Sequence, residues 1–247
     1  MADIEDLKKK IVIGSRILYN EGICGKFPFG HLSARHPDGD KFIISFKGHG
    51  EGRHVGEVVM EDLQVLDLEG NFVEGTHKEF YDEIFAHSEI YKARPDVMSV
   101  SHVHPPVAKS ICATDAEIIP LVGAGTSLAA GVKKFEHPSG KPRLIGTKED
   151  GVLLAQCLGS GKAVAIRGLA IDVVGTSVED AVTSSIGLEE TAKMMVTAMQ
   201  VGTPKRFEMS PMPPKPPGSP PSPESRGSLL WIYYTRRLAD SKWAINL

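Results

Sequence analysis

Cysteine is scarce in this chain of 247 residues: the three present, Cys24, Cys112 and Cys157, are odd in number, far apart and set among apolar neighbours. A disulfide framework needs paired cysteines at regular spacing, so these read as buried free thiols of a reducing compartment. No run approaches the roughly 20 apolar residues of a membrane-spanning helix. The opening Met1-Ala2-Asp3-Ile4-Glu5-Asp6 is acidic where a secretory signal is basic. Basic residues are scattered, and the net charge of −3 provides no electrostatic footprint for nucleic acid or an anionic membrane. The expectation is a cytosolic protein that meets a small molecule or another protein. Its 41% hydrophobic content is enough for a core without staples.

The apolar positions that are present fall into two periods. Ile4, Leu7, Ile11, Ile13, Ile17 and Leu18 follow near-helical spacing up to the Asn20-Glu21-Gly22 breaker, which predicts an opening surface helix. Short runs at 41–45, 63–68 and 72–73, separated by turn residues, predict hairpin strands. A helical stripe over 78–93 (Phe80, Ile84, His87, Tyr91) ends at Arg94-Pro95, and a strand from Val97 to His104 follows, stopped by Pro105-Pro106. Further strands are expected near 163–167 and 170–174, then a long helix capped by Ser177 and running to about Gln200. Strands mixed with helices argue for a layered α/β domain over residues 1–204. Beyond it, residues 205–247 read as a proline-rich, disordered tail, because Met212 to Pro223 carries too little apolar surface to fold. The apolar run Leu229 to Tyr234 within that tail is left open between docking on the domain, binding a partner and no structural role.

Chemistry concentrates in the strand 97–104. Side chains alternate faces along a strand, so His102 and His104 share one side and can reach a single metal ion. Glu83 and His87 lie four apart on the preceding helix, which the short turn at Pro95 folds back against that strand. Beside a divalent cation, Glu83 either ligates or serves as general acid/base. The competing readings are a solvated helix face for Glu83 and a packed core histidine for His87.

The run Glu83-Ile-Phe-Ala-His-Ser-Glu-Ile-Tyr-Lys-Ala-Arg-Pro-Asp-Val-Met-Ser-Val-Ser-His-Val-His-Pro105 resembles the central signature of the class II aldolase/adducin family. Gly30-His31-Leu32-Ser33-Ala34-Arg35 occupies the place of that family's Gly-Asn-x-Ser-x-Arg loop, and Glu61-Asp62-Leu63 with Asp67-Leu68-Glu69-Gly70 matches its next segment. The resemblance spans about residues 5–202. It implies a three-layer αβα sandwich around a central, largely antiparallel sheet, assembled as a homotetramer. It also implies a divalent ion, zinc foremost with iron or manganese as alternatives, on His102 and His104, with Glu83 as the catalytic carboxylate.

Two departures shape the functional expectation. Tyr81-Asp82 precede Glu83, and Lys47-Gly48 stand in the first substrate loop, where members that cleave phosphorylated sugars carry small hydroxylated residues and a Ser-Gly pair. An acidic Asp82 repels phosphate. The substrate is therefore expected to be unphosphorylated and carboxylated, as in the branch of aromatic-acid (hydroxyphthalate-type) decarboxylases, with His31, Arg35 and Lys47 meeting its anionic groups. The second departure is Arg167-Gly168-Leu169-Ala170, where a third histidine ligand is expected. Leucine cannot ligate, so the ion must recruit Glu83 or another histidine such as His31, His49, His54 or His137. The leading expectation is a metal-dependent carbon–carbon lyase, a decarboxylase or aldolase. The alternatives are Fe(II)-dependent oxygenation, a metal-free cyclisation or rearrangement in secondary metabolism, and a non-catalytic adducin-like interaction module.

Overall fold

The computed structural model describes residues 4–24, 29–45, 54–76, 81–121, 131–206 and 226–246. In chain order the elements are α1 (Ile4–Asn20), β1 (His31–Arg35), β2 (Lys41–Ser45), β3 (Leu63–Asp67), β4 (Phe72–Glu74), α2 (Ile84–Ala93), β5 (Ser99–Val103), α3 (Pro106–Cys112), β6 (Lys133–Phe135), α4 (Lys148–Leu158), β7 (Ala163–Ile166), β8 (Ala170–Gly175), α5 (Val178–Met199) and α6 (Arg226–Ala239). The strands form one sheet in the order β4-β3-β2-β1-β5-β8-β7-β6. Every neighbouring pair is antiparallel except β6 and β7. The layered α/β expectation is met, with helices on both faces.

Strand alternation divides the core in two. Val103, Ala163, Ala165, Ile171 and Val173 face the layer that holds α1, α3, α5 and α6. Val100, Val164, Ile166 and Val174 face α2 and α4. Within β5 the polar side chains follow the same rule. Ser101 reaches Ser185 of α5 at 2.6 Å, whereas His102 points to the α2 side. The sheet centre is thus covered on both sides, and a polar residue there must find its partner inside the protein.

Several boundaries follow from local chemistry. Ser177 caps α5 by accepting from the Asp180 N–H at 3.1 Å, as its position predicts. The helix expected over 78–93 begins only at Ile84: residues 77–80 lie outside the described set, and Glu83 is the capping residue rather than a helix-face residue. At the C-terminal end the structure departs from a tail reaching to 247. Residues 226–239 are helical, Leu238 is buried with the α1/α5 core, and Arg16 donates to the Trp243 carbonyl at 2.9 Å. Arg237 pairs with Glu21 at 3.0 Å. Apolar periodicity resumes after the prolines, and it is long enough here to bury one face against α1 and α5. The stretch Met212 to Pro223 lies outside the described residues.

Candidate metal centre

Antiparallel pairing of β1 with β5 sets His31 directly opposite His102. Their rings stack, with centroids 4.4 Å apart and planes 9° from parallel. Gly30 permits the close approach: its φ is 124°, and a Cβ there would stand 3.0 Å from the His102 carbonyl oxygen. Glu83, turned inward at the start of α2, presents its carboxylate to both rings. Oε2 lies 3.7 Å from His31 Nε2, and Oε1 lies 3.5 Å from His102 Nε2. One ligating atom from each of the three residues falls within 4.8 Å of the others.

What distinguishes this trio is that its facing atoms are unsatisfied. Among the described residues, His31 Nε2, His102 Nε2 and Glu83 Oε1 are all buried without a hydrogen-bond partner, although such groups are nearly always paired in folded proteins. Each imidazole is meanwhile held from behind. His102 Nδ1 lies 2.7 Å from Asp172 Oδ1, and His31 Nδ1 lies 2.6 Å from His87 Nε2. Two anchored imidazoles and a carboxylate, with three orphaned atoms converging, fit the donor set of a divalent transition metal.

The electrostatics agree with a cation-seeking site. Burial pushes the Glu83 carboxyl up, but the neighbouring His102 and His31 outweigh it and bring the group down to about 2. Burial likewise opposes charge on His102, yet Glu83 and the fully buried Asp172 carboxylate raise it to about 9. His31 is lowered by burial and by the charge of His102. His104 is brought down to about 3 by burial, His102 and Lys109. Without an ion, a proton on His102 partly takes the ion's place.

The residues singled out in the sequence have different fates. His104 sits just past the end of β5 with its ring 5.3 Å from that of His102, outside the tight trio. Its Nδ1 donates to the Leu169 carbonyl at 2.9 Å, which leaves Nε2 as a lone pair. The turn that lacks a third imidazole therefore still orients one through its backbone. His31, expected to meet substrate, is brought into the ligand trio instead. Arg35 sits at the opposite end of β1 from His31. Its guanidinium donates to the carbonyls of Val97 (3.0 Å), Gly39 (3.0 Å), Tyr91 (2.6 Å) and Arg94 (3.1 Å), so four of its five N–H groups are engaged within the fold. Lys47 and His49 lie outside the described residues. His54 stacks on Tyr19, and His137 binds Asp150 and Ser139, so neither is part of the trio.

One contributor, Asp172, had not stood out in the sequence, and a second, Tyr81, had stood out only as a departure from the phosphate-binding pattern. Asp172 is a lone acid in the otherwise apolar strand Ala170–Gly175, and that isolation was its only signal. Tyr81 packs its ring 4.2 Å from that of His31. All three cysteines are free thiols, and burial pushes Cys24 up to about 12, which leaves it protonated and unreactive at neutral pH.

Comparison with known proteins bears on this geometry. The model of the class II aldolase and adducin N-terminal domain matches residues 9–196. A 3,4-dihydroxyphthalate decarboxylase from Arthrobacter keyseri is 28% identical over 203 residues, covering 79% of each chain. The decarboxylase tropJ of Talaromyces stipitatus is 28% identical over 206 residues, covering 77% of this chain and 76% of its own. Among solved structures, an aldolase II superfamily protein from Pseudomonas syringae superposes with a TM-score of 0.74 at 20% identity, over 96% of this chain and 94% of that one. At that identity the superposition speaks for the fold alone.

Proposed function

This chain belongs to the class II aldolase and adducin family, and within it we propose a metal-dependent carbon–carbon lyase that decarboxylates an unphosphorylated, carboxylated small molecule. The observation that carries this reading is the convergence of His31 Nε2, His102 Nε2 and Glu83 Oε1, three buried atoms without partners. These residues would hold a divalent ion, zinc foremost and iron or manganese otherwise, with His104 Nε2 as a fourth donor. Such an ion supplies Lewis acidity that draws electron density from a carbonyl or phenolic oxygen.

The chain's own residues provide the rest. Glu83 presents two carboxylate oxygens, and with Oε1 toward the ion, Oε2 would be the atom that takes a proton from a substrate hydroxyl. When carbon dioxide leaves, the bonding electrons stay on the substrate carbon, and the same carboxylate returns the proton there. Tyr81 presents an aromatic surface beside His31, which suits a planar ring better than a phosphate. The match to decarboxylases over more than three quarters of the chain supports the choice of reaction. A cytosolic homotetramer completes the reading.

The test is metal analysis of tag-free protein, coupled to carbon dioxide release from 3,4-dihydroxyphthalate and related hydroxylated aromatic acids. One ion per chain and release that stops on chelation support the reading; carbon dioxide release unaffected by complete metal removal refutes it. Two histidines and one carboxylate are also the donors of non-haem Fe(II) oxygenases. Oxygen uptake by the iron-loaded protein in place of carbon dioxide release would favour that second reading.

A further inference from the structure

Behind His31 runs a buried chain of side chains that the proposed chemistry does not use. His31 Nδ1 is 2.6 Å from His87 Nε2, His87 Nδ1 is 2.7 Å from Ser33 Oγ, and Ser33 Oγ is 2.7 Å from the Tyr91 hydroxyl. His87 and Ser33 have no solvent exposure, Tyr91 is 1% exposed and His31 2%. The sequence made His87 a candidate only as a helix-face neighbour of Glu83. In the fold it belongs to the other side of His31, away from the carboxylate.

We propose that His87 is a positioning residue that fixes the tautomer and ring orientation of His31, and so makes His31 the imidazole that substitutes for the ligand missing at Leu169. This rests on the metal reading above and adds to it the means by which a histidine on β1 becomes a ligand. An imidazole binds an ion through a nitrogen lone pair, so the proton of His31 must sit on Nδ1 if Nε2 is to ligate. Among the described residues no acceptor lies within hydrogen-bond reach of His31 Nε2, the nearest Glu83 oxygen being 3.7 Å away. A proton there is unpaired, whereas a proton on Nδ1 has His87 Nε2 as its acceptor.

The direction of donation then propagates. His87, accepting at Nε2, carries its own proton on Nδ1 and donates to Ser33 Oγ, which also shares a hydrogen bond with the Tyr91 hydroxyl. His102 is served differently: its Nδ1 is held by the carboxylate of Asp172. The two stacked ligands thus have separate anchors on separate elements, α2 for His31 and β8 for His102. Loss of one anchor should weaken the site without dismantling the other.

The experiment uses the full-length, tag-free chain. Zn2+ affinity is measured by chelator competition, Co2+ absorption reports the coordination environment, and long-range 1H–15N spectra report the His31 tautomer with and without Zn2+. His87→Phe is expected to weaken Zn2+ binding by about 10- to 100-fold, the usual effect of removing a partner behind a ligating histidine, and to change the Co2+ spectrum. His87→Gln, whose side-chain oxygen can accept from His31 Nδ1–H, should recover most of the loss. Ser33→Ala, further along the chain, should weaken binding less than His87→Phe, and it carries the test if the phenylalanine variant does not fold. Wild-type affinity in His87→Phe, or His31 protonated at Nε2 in the wild-type protein, overturns the proposal. Wild-type protein that binds no Zn2+ yet shows His31 protonated at Nδ1 refutes the metal reading and leaves the positioning role supported.

Discussion

The two ends of β1 carry buried basic side chains with opposite fates. At one end the Arg35 guanidinium donates to four carbonyls. At the other, His31 keeps one nitrogen anchored and leaves the second without a partner, facing Glu83 and His102. The residues are 9% and 2% exposed, so burial alone does not separate them. Hydrogen-bond satisfaction does. A satisfied buried cation ties loops together, whereas convergent unsatisfied donors and acceptors mark a place prepared for something else.

The sharpest way to break this contrast is to exchange the consequences of mutation. Glu83→Gln should lower kcat by on the order of 10²–10⁴ with only a modest loss of stability, the part of the His102 charge stabilisation that the carboxylate supplies. Arg35→Ala should do the reverse. Leaving buried carbonyls unpaired should cost roughly 3 kcal/mol of stability, read by denaturant unfolding, with kcat per folded molecule unchanged. If Arg35→Ala instead raised KM with stability intact, the guanidinium would be a substrate contact after all.

Smaller effects sharpen the metal end itself. Asp172→Asn should weaken Zn2+ binding by about 10- to 100-fold, measured by chelator competition. The pH dependence has a definite sign. His102 is raised from the ordinary imidazole value to about 9, so in metal-free protein its contribution to stability is fully present below about pH 6.5 and is lost as pH rises through 9. Zn2+ must displace that proton, so its apparent affinity should increase across the same window. Denaturant unfolding in chelator, set beside Zn2+ titrations from pH 6 to 9, checks both trends; parallel rather than opposite trends would contradict them. Leu169→His should give the smallest change, a modest gain in affinity. The Leu169 backbone already serves His104, and its side chain packs against the α2/α4 core.

Much of this arrangement was legible in the sequence because it follows from periodicity and spacing. The strand carrying His102, the Ser177 cap and the nearness of Glu83 all derive from rules that act over a few residues. The pairing of His31 with His102 could not be read that way, since it depends on which strand β1 chooses as its neighbour and in which register. A resemblance to known loops placed His31 and Arg35 together as substrate contacts. It gave no means to see that one joins the trio and the other meets backbone carbonyls. Asp172 was hidden for a related reason: one acid in an apolar strand acquires meaning only when β8 sets it opposite His102. At the C-terminal end, composition described the proline-rich stretch but not the helix beyond it, whose docking depends on α1 and α5 offering a face.

The central claim is that His31, rather than the Leu169 turn, completes the ion's protein ligands. The most direct measurement is the zinc content and Zn2+ affinity of tag-free His31→Ala beside the wild-type protein, with folding verified by circular dichroism. The account predicts one tightly held ion per wild-type chain and its loss from the variant. A fully loaded His31→Ala protein with unchanged affinity would contradict it.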